Sequence, residues 1–200
     1  MNIENDPVIV AAARTAVGKA KRGGLATARP EDLMAAVIKD LLKKVKPLNP
    51  DQLDDLIVGC AFPEGEQGMN MSRLISFRAG LPISVPSETI NRFCSSGLQS
   101  ISHAAYAIKA GQIHTAIAGG VESMSTVPMT GYKFAPNPFL AENYPEAFTS
   151  MGITAENVAQ KYGVSREDQD IFSLHSHQKA TEAVQSGRFD PEIVPIEVEV

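Results

Sequence analysis

Asn91-Arg92-Phe93-Cys94-Ser95-Ser96-Gly97-Leu98 sets a cysteine where one periodicity gives way to another. Before it, Thr89-Ile90-Asn91 reads as the end of a strand. After it, Leu98, Ile101, Ala105 and Ile108 recur at helical spacing until Gly111 stops the helix. Thr115-Ala116-Ile117-Ala118-Gly119-Gly120 then reads as a strand of small residues, which implies another backbone or helix packed close against it. Strand, helix and strand in that order indicate an α/β fold with a parallel sheet.

The chain upstream repeats the plan. Val8-Ile9-Val10-Ala11-Ala12 is a short apolar run, expected as a strand buried on both faces. A Gly-rich basic loop, Gly18 to Gly24, leads to Pro30-Glu31-Asp32, which opens a helix with proline in its first turn and acids near the positive end of its dipole. Leu33, Val37, Leu41 and Val45 form its apolar stripe, Pro47 ends it, and Leu56 to Cys60 reads as the next strand, giving a βαβ unit.

Downstream of Glu122 the character changes. Pro128, Pro136, Pro138 and Pro145, with Gly131, Asn137, Asn143 and Gly152, make a long irregular stretch of the kind that is functional or marks a subdomain. Ser165-Arg166-Glu167-Asp168 resembles a capping box and predicts a polar helix to about Ser186-Gly187. Ile193 to Val200 alternates like a strand and stops without cap or tail, so the chain is expected to end mid-structure.

Composition narrows the classes. The 200 residues are 44% hydrophobic and 20% charged with a net charge of −5, an ordinary globular balance. Nine Lys/Arg face five Asp/Glu through Lys46, and nine face eighteen thereafter, a distribution that repels nucleic acid. The N-terminus lacks the basic character of a targeting peptide, and no apolar run approaches the ~20 residues of a membrane span. Two cysteines, without CxxC or Cys/His spacing, make neither a disulfide framework nor a metal site and suit a reducing cytoplasm.

A thiolate at Cys94 would face the unpaired N–H groups and partial positive charge of a helix N-terminus, which lower a thiol's pKa from about 8.5. The same geometry aims N–H groups where an oxyanion forms in acyl transfer. Cys94 is therefore the candidate nucleophile, while Cys60, ending an apolar strand, is expected in the core. His103 and His114 lie in or beside the helix after Cys94, and His175 and His177 are two apart, so packing or surface roles are expected of all four. Val121-Glu122-Ser123-Met124-Ser125 is not the GxSxG of a serine hydrolase, and Lys19, Lys21 and Arg22 read as a solvated turn. From the residues alone this is an α/β protein with one activated cysteine and acyl chemistry, and no named substrate.

Six segments together resemble the thiolases of the degradative 3-ketoacyl-CoA type. They are Arg14-Thr15-Ala16-Val17-Gly18-Lys19, Arg29-Pro30-Glu31-Asp32-Leu33, Gly65-Glu66-Gln67-Gly68-Met69-Asn70, the Asn91 to Gln99 stretch, Gly119-Gly120-Val121-Glu122-Ser123-Met124-Ser125 and Met151-Gly152-Ile153-Thr154-Ala155-Glu156-Asn157. The resemblance implies a thiolase-like layered core half over residues 1–121 and an incomplete irregular and helical loop subdomain over 122–200, with the second core half absent. It implies that Cys94 accepts the acyl group from a 3-ketoacyl-CoA, that acetyl-CoA leaves, and that free CoA removes the shortened chain. The Cys94 N–H would serve an oxyanion hole, and Met151 would line the pantetheine tunnel. CoA is then a substrate, with no resident cofactor or metal, and the dimer-based homo-oligomer of the family is expected, with Gly68 to the Cys94 turn taking part in the contact. Ser150 stands where acetoacetyl-CoA-specific relatives commonly carry histidine, which weighs toward longer-chain substrates.

The resemblance also implies what a half-length chain lacks: the activating histidine, a second cysteine, an asparagine-bearing motif and a second oxyanion-hole glycine. Such a chain is expected to be inactive alone and to expose a large apolar face. The alternatives are an acetoacetyl-CoA-forming thiolase or another condensing enzyme of this fold, a catalytically dead truncated partner, and a thiol redox sensor at Cys94.

Overall fold

The computed structural model describes residues 6–198, which form two compact units, one of residues 6–132 with 192–198 and one of residues 133–191. In the first, three parallel strands, β1 (Asp55–Gly59), β2 (Ser87–Ile90) and β3 (Ala116–Gly120), lie in the order β2-β1-β3. Gly59 pairs with Ile90 on one side and Gly120 on the other, so all three strands end at one edge.

Three helices cover the sheet. α1 (Pro30–Lys44) starts with its expected proline and acids, and α2 (Met71–Ala79) is capped by the Asn70 side chain and closed by Gly80 at φ 80°. Leu56, Val58, Cys60 and Ile117 pack with Met34, Ile38, Met71 and Ile75 of these helices. α3 (Ser96–Lys109) rests on Gly59 and Gly120. A Cβ on Gly59 would lie 2.3 Å from the Ser96 carbonyl carbon, and one on Gly120 2.9 Å from the Gly97 Cα. The small-residue strand thus has the close neighbour its composition implied.

That approach corrects the expected stripe of α3. Leu98 and Ile101 are exposed, whereas Ser96, Ser100 and Ala104 are buried, because backbone-to-backbone packing admits only small side chains. Ser100 Oγ donates to Gly119 O at 2.7 Å and joins helix to strand.

Val8 to Ala12 is a second correction: it forms no strand and pairs with none among the described residues, and Val8, Ile9 and Val10 are 77%, 78% and 76% exposed. A strand needs an edge to pair with as well as an apolar sequence. This run instead forms one wall of a groove of about 1020 Å³ whose other walls include β3 and the Ile101–Ala105–Ile108 side of α3. The βαβ unit is consequently β1-α2-β2 rather than one beginning at Val8. Of the alternating C-terminal run, Ile193 makes a single bridge with Arg14, and residues 199–200 lie outside the described chain.

The first unit continues past residue 122, the expected start of the loop subdomain, to Tyr132. Ser123 N donates to Gln67 Oε1, and the Tyr132 hydroxyl meets Glu66 Oε2 and Thr126 O at 2.9 and 2.6 Å. The second unit holds α4 (Pro138–Asn143), α5 (Met151–Tyr162) and α6 (Arg166–Gln185), capped by Asn137, Ser150 and Ser165. The capping box at Ser165 is reciprocal with Asp168, and Gly187 follows the helix at φ 70°. No helix among the described residues is long and apolar enough to cross a membrane.

Candidate active site

Cys94 is exposed, one residue before the Ser95 cap of α3, where the chain turns out of β2. Helix N-termini end in N–H groups without intrahelical partners, and no side chain caps this one. Partial positive charge therefore remains at the point where the cysteine enters. Because Gly59 and Gly120 seat the first turn of α3, the junction is fixed at the carboxyl edge of the sheet, where ligands bind in open α/β folds.

The turn itself is strained. Phe93 has φ 45°, a conformation uncommon for a residue with a Cβ and costly for a bulky one. Its neighbours fix it. Asn91 Oδ1 accepts from Phe93 N at 2.8 Å, Ser96 Oγ donates to Phe93 O at 2.6 Å, and Arg92 N donates to the same Ser96 hydroxyl oxygen at 2.8 Å. The Arg92 guanidinium donates to Gln99, seven residues on in the first turn of α3, and the Phe93 ring lies 6.2 Å from that of Phe62.

Beside this turn the ends of β1 and β3 are tied by polar groups. Glu122 Oε2 accepts from Ala61 N at 2.7 Å, and its Oε1 accepts from Gln67 Nε2 at 2.6 Å. Gln67 is fully buried and also donates to Phe62 O at 2.8 Å. Cys60, fully buried as expected, directs its thiol to Glu122 Oε1 at 3.7 Å. Burial, reinforced by the Glu122 carboxylate, pushes the Cys60 thiol up to about 12. Cys60 is thus a protonated core residue.

The other candidates divide plainly. Met151 is the first residue of α5 in the second unit and is exposed. Ser150 caps that helix, accepting from Ile153 N. His103 Nδ1 lies 3.6 Å from Glu88 Oε1 on the exposed side of α3, and the His114 backbone N–H donates to Asp54 at 2.6 Å. That bond and a second from Thr115 N hold the Asp54 carboxyl below the usual carboxylate range. Lys19, Lys21 and Arg22 are exposed in a turn where Lys21 N bonds Ser125 Oγ, and no group of three or more His, Cys, Asp or Glu among the described residues is placed to hold a metal.

Asn91, Gln67 and Glu122 all fall in motifs quoted above, yet nothing in their spacing assigns them a part. The available signal is a polar residue just past the end of a strand, at Asn91 and Glu122, which marks a turn without naming its bonds.

Comparison with known proteins gives the arrangement relatives. A family model described as the N-terminal domain of thiolase matches residues 7–200. A 3-ketoacyl-CoA thiolase of Bacillus subtilis (strain 168) is 58% identical over 195 residues, covering 98% of this chain and 50% of that protein. The peroxisomal 3-ketoacyl-CoA thiolase 5 of Arabidopsis thaliana is 42% identical over 199 residues, covering 98% of this chain and 43% of that one. The crystal structure of the Bacillus anthracis acetyl-CoA acetyltransferase superposes with a TM-score of 0.84 at 34% identity, over 98% of this chain and 52% of that one. The chain spans about half the length of the curated relatives it matches.

Proposed function

This chain belongs to the thiolase family, and from that premise we propose that it carries the acyl-accepting cysteine of a 3-ketoacyl-CoA thiolase. The observation that bears most weight is the exposed Cys94 on a strained turn at the uncapped N-terminus of α3. In the proposed reaction the Cys94 thiolate adds to the 3-keto carbon, and the bond between C2 and C3 breaks. The electron pair passes to C2, which takes a proton, and acetyl-CoA leaves. CoA thiol then attacks the cysteinyl thioester, releasing an acyl-CoA shortened by two carbons and regenerating Cys94. Two half-reactions through a covalent intermediate give ping-pong kinetics.

Cys94 N–H acts on the developing oxyanion, and Met151 contacts the pantetheine arm of CoA. CoA is substrate throughout, and no resident cofactor takes part. The acid and base of both half-reactions are assigned to a second core half, as are completion of the layered core over residues 1–121 and of the loop subdomain from residue 122. Activity of this 200-residue chain alone is accordingly expected to be weak or nil. A cytoplasmic, dimer-based assembly completes the reading, with Gly68 to the Cys94 turn at the contact. Higher identity to the 3-ketoacyl-CoA thiolases than to the acetyl-CoA acetyltransferase favours thiolysis over the acetoacetyl-CoA-forming alternative.

Intact-protein mass spectrometry after mixing the chain with acetyl-CoA or a 3-ketoacyl-CoA tests the nucleophile. An acyl adduct is expected that Cys94→Ala abolishes. An adduct that survives in Cys94→Ala would refute the assignment.

A further inference from the structure

We infer that Glu122 and Asn91 are positioning residues for Cys94, acting through the backbone of Ala61 and Phe93. This deepens the proposed function and rests on Cys94 being its nucleophile. The bonds run in one line: Ala61 N donates to Glu122 Oε2 at 2.7 Å, Asn91 Nδ2 donates to Ala61 O at 2.8 Å, and Phe93 N donates to Asn91 Oδ1 at 2.8 Å. Glu122 is the anchor. Gln67, fully buried, donates to its other oxygen at 2.6 Å and accepts from Ser123 N at 2.5 Å, while Val121 N is held by Gly59 O at 3.1 Å.

The far end of the line meets the one strained residue of the Cys94 turn. Phe93 at φ 45° persists only where surrounding bonds over-determine it. Asn91 supplies one such bond directly, and Glu122 fixes the peptide that Asn91 grips. When the line is cut, Phe93 relaxes toward ordinary φ and Cys94 swings away from the N-terminus of α3, losing the stabilisation that end gives to developing negative charge on sulfur. Neither Glu122 nor Asn91 has to touch substrate for this.

The test is the second-order rate of carboxymethylation of Cys94 by iodoacetamide at neutral pH in the 200-residue chain, followed by peptide mapping alongside thermal unfolding. Asn91→Ala and Glu122→Gln are each expected to slow Cys94 by about two- to fivefold. Adding Phe93→Gly to Asn91→Ala is expected to bring the rate back to within about twofold of the parent, because glycine takes positive φ without a tether. A general loss of stability would not be rescued in this way. Parent rates in both single variants, or no recovery with glycine, would overturn the inference. Should Glu122→Gln not fold, Asn91→Asp carries the same test, since it keeps the acceptor for Phe93 N and loses the donor to Ala61 O. A parent rate there would break the line at Ala61. Acyl adduct formation is scored separately, so a chain that obeys the alkylation pattern but whose adduct survives in Cys94→Ala refutes the thiolase nucleophile and leaves the tether standing.

Discussion

Cys60 and Cys94 stand at the same edge of one sheet, and their surroundings make them chemically opposite. Cys60 directly follows β1, and its backbone N–H bonds Ile90 O at the end of β2. Its side chain points into the face covered by α1 and α2, and its thiol is held protonated beside Glu122. Cys94 comes four residues after the end of β2, where a short tight turn leads into a helix, and it is exposed. The difference teaches that the connection after a strand, more than the strand, decides whether a cysteine is packed away or presented at a helix end. Ala61-Phe62-Pro63 leads Cys60 away from any helix end, whereas the Phe93 turn delivers Cys94 to one.

Selective labelling is the strongest test of that contrast. At neutral pH iodoacetamide is expected to modify Cys94 at least about a hundredfold faster than Cys60, because the thiolate is the reactive species and burial suppresses it at Cys60. Peptide mapping of a briefly treated chain measures both sites in one experiment. Comparable rates would mean that the packing around Cys60 opens readily, and the two cysteines would no longer be distinguished by the fold.

Next in size is the seat on which the distinction rests. Gly59→Ala would place a Cβ 2.3 Å from the Ser96 carbonyl carbon, and backbone cannot yield as the end of a flexible side chain can. A loss of about 3 kcal/mol is expected in denaturant unfolding, at the upper end for overpacking. Gly97→Ala is the matched control, since its Cβ would meet nothing nearer than 3.6 Å and alanine favours the helix. Equal losses in the two variants would show that the close approach of α3 to β1 does not govern stability.

Much of this was readable in the order of residues. Strand ends, the small-residue strand, the capping box at Ser165 and the cysteine at a strand-to-helix junction are local patterns with local physical causes. What escaped depended on partners. Val8 to Ala12 has the composition of a buried strand but no strand to pair with among the described residues. The apolar spacing of Leu98 and Ile101 marked the wrong side of α3 because Gly59 and Gly120, distant in sequence, select the small side as the buried one. α2 sends no clear signal in the sequence although Asn70 and Gly80 bracket it, since its nine residues bury serines with Met71 and Ile75 and show little amphipathic contrast. The Glu122 tether joins residues 30 and 61 positions apart, a relation that spacing alone does not contain.

The smallest effect asked of the comparison is in alkaline solution. Cys60 has its pKa raised to about 12 in the fold, first by burial and then by Glu122, against about 8.5 for a thiol in the unfolded chain. Between those values the folded chain binds the proton more tightly, so its contribution to stability is whole below about pH 8.5 and is lost as pH rises toward 12. The slope is at most about 1.4 kcal/mol per pH unit. Tyr132, whose hydroxyl is pushed up by its bond to Glu66, also responds to alkali, so the parent alone is not diagnostic. The difference between the parent and Cys60→Ala cancels that contribution, because the tyrosine is common to both. At neutral pH the variant is expected to be less stable by about 1 kcal/mol for the lost sulfur, and the two curves of unfolding free energy are expected to meet near about pH 9 and to cross above it. Parallel curves would mean that Cys60 ionises as an ordinary thiol, and its difference from Cys94 would then be one of access alone.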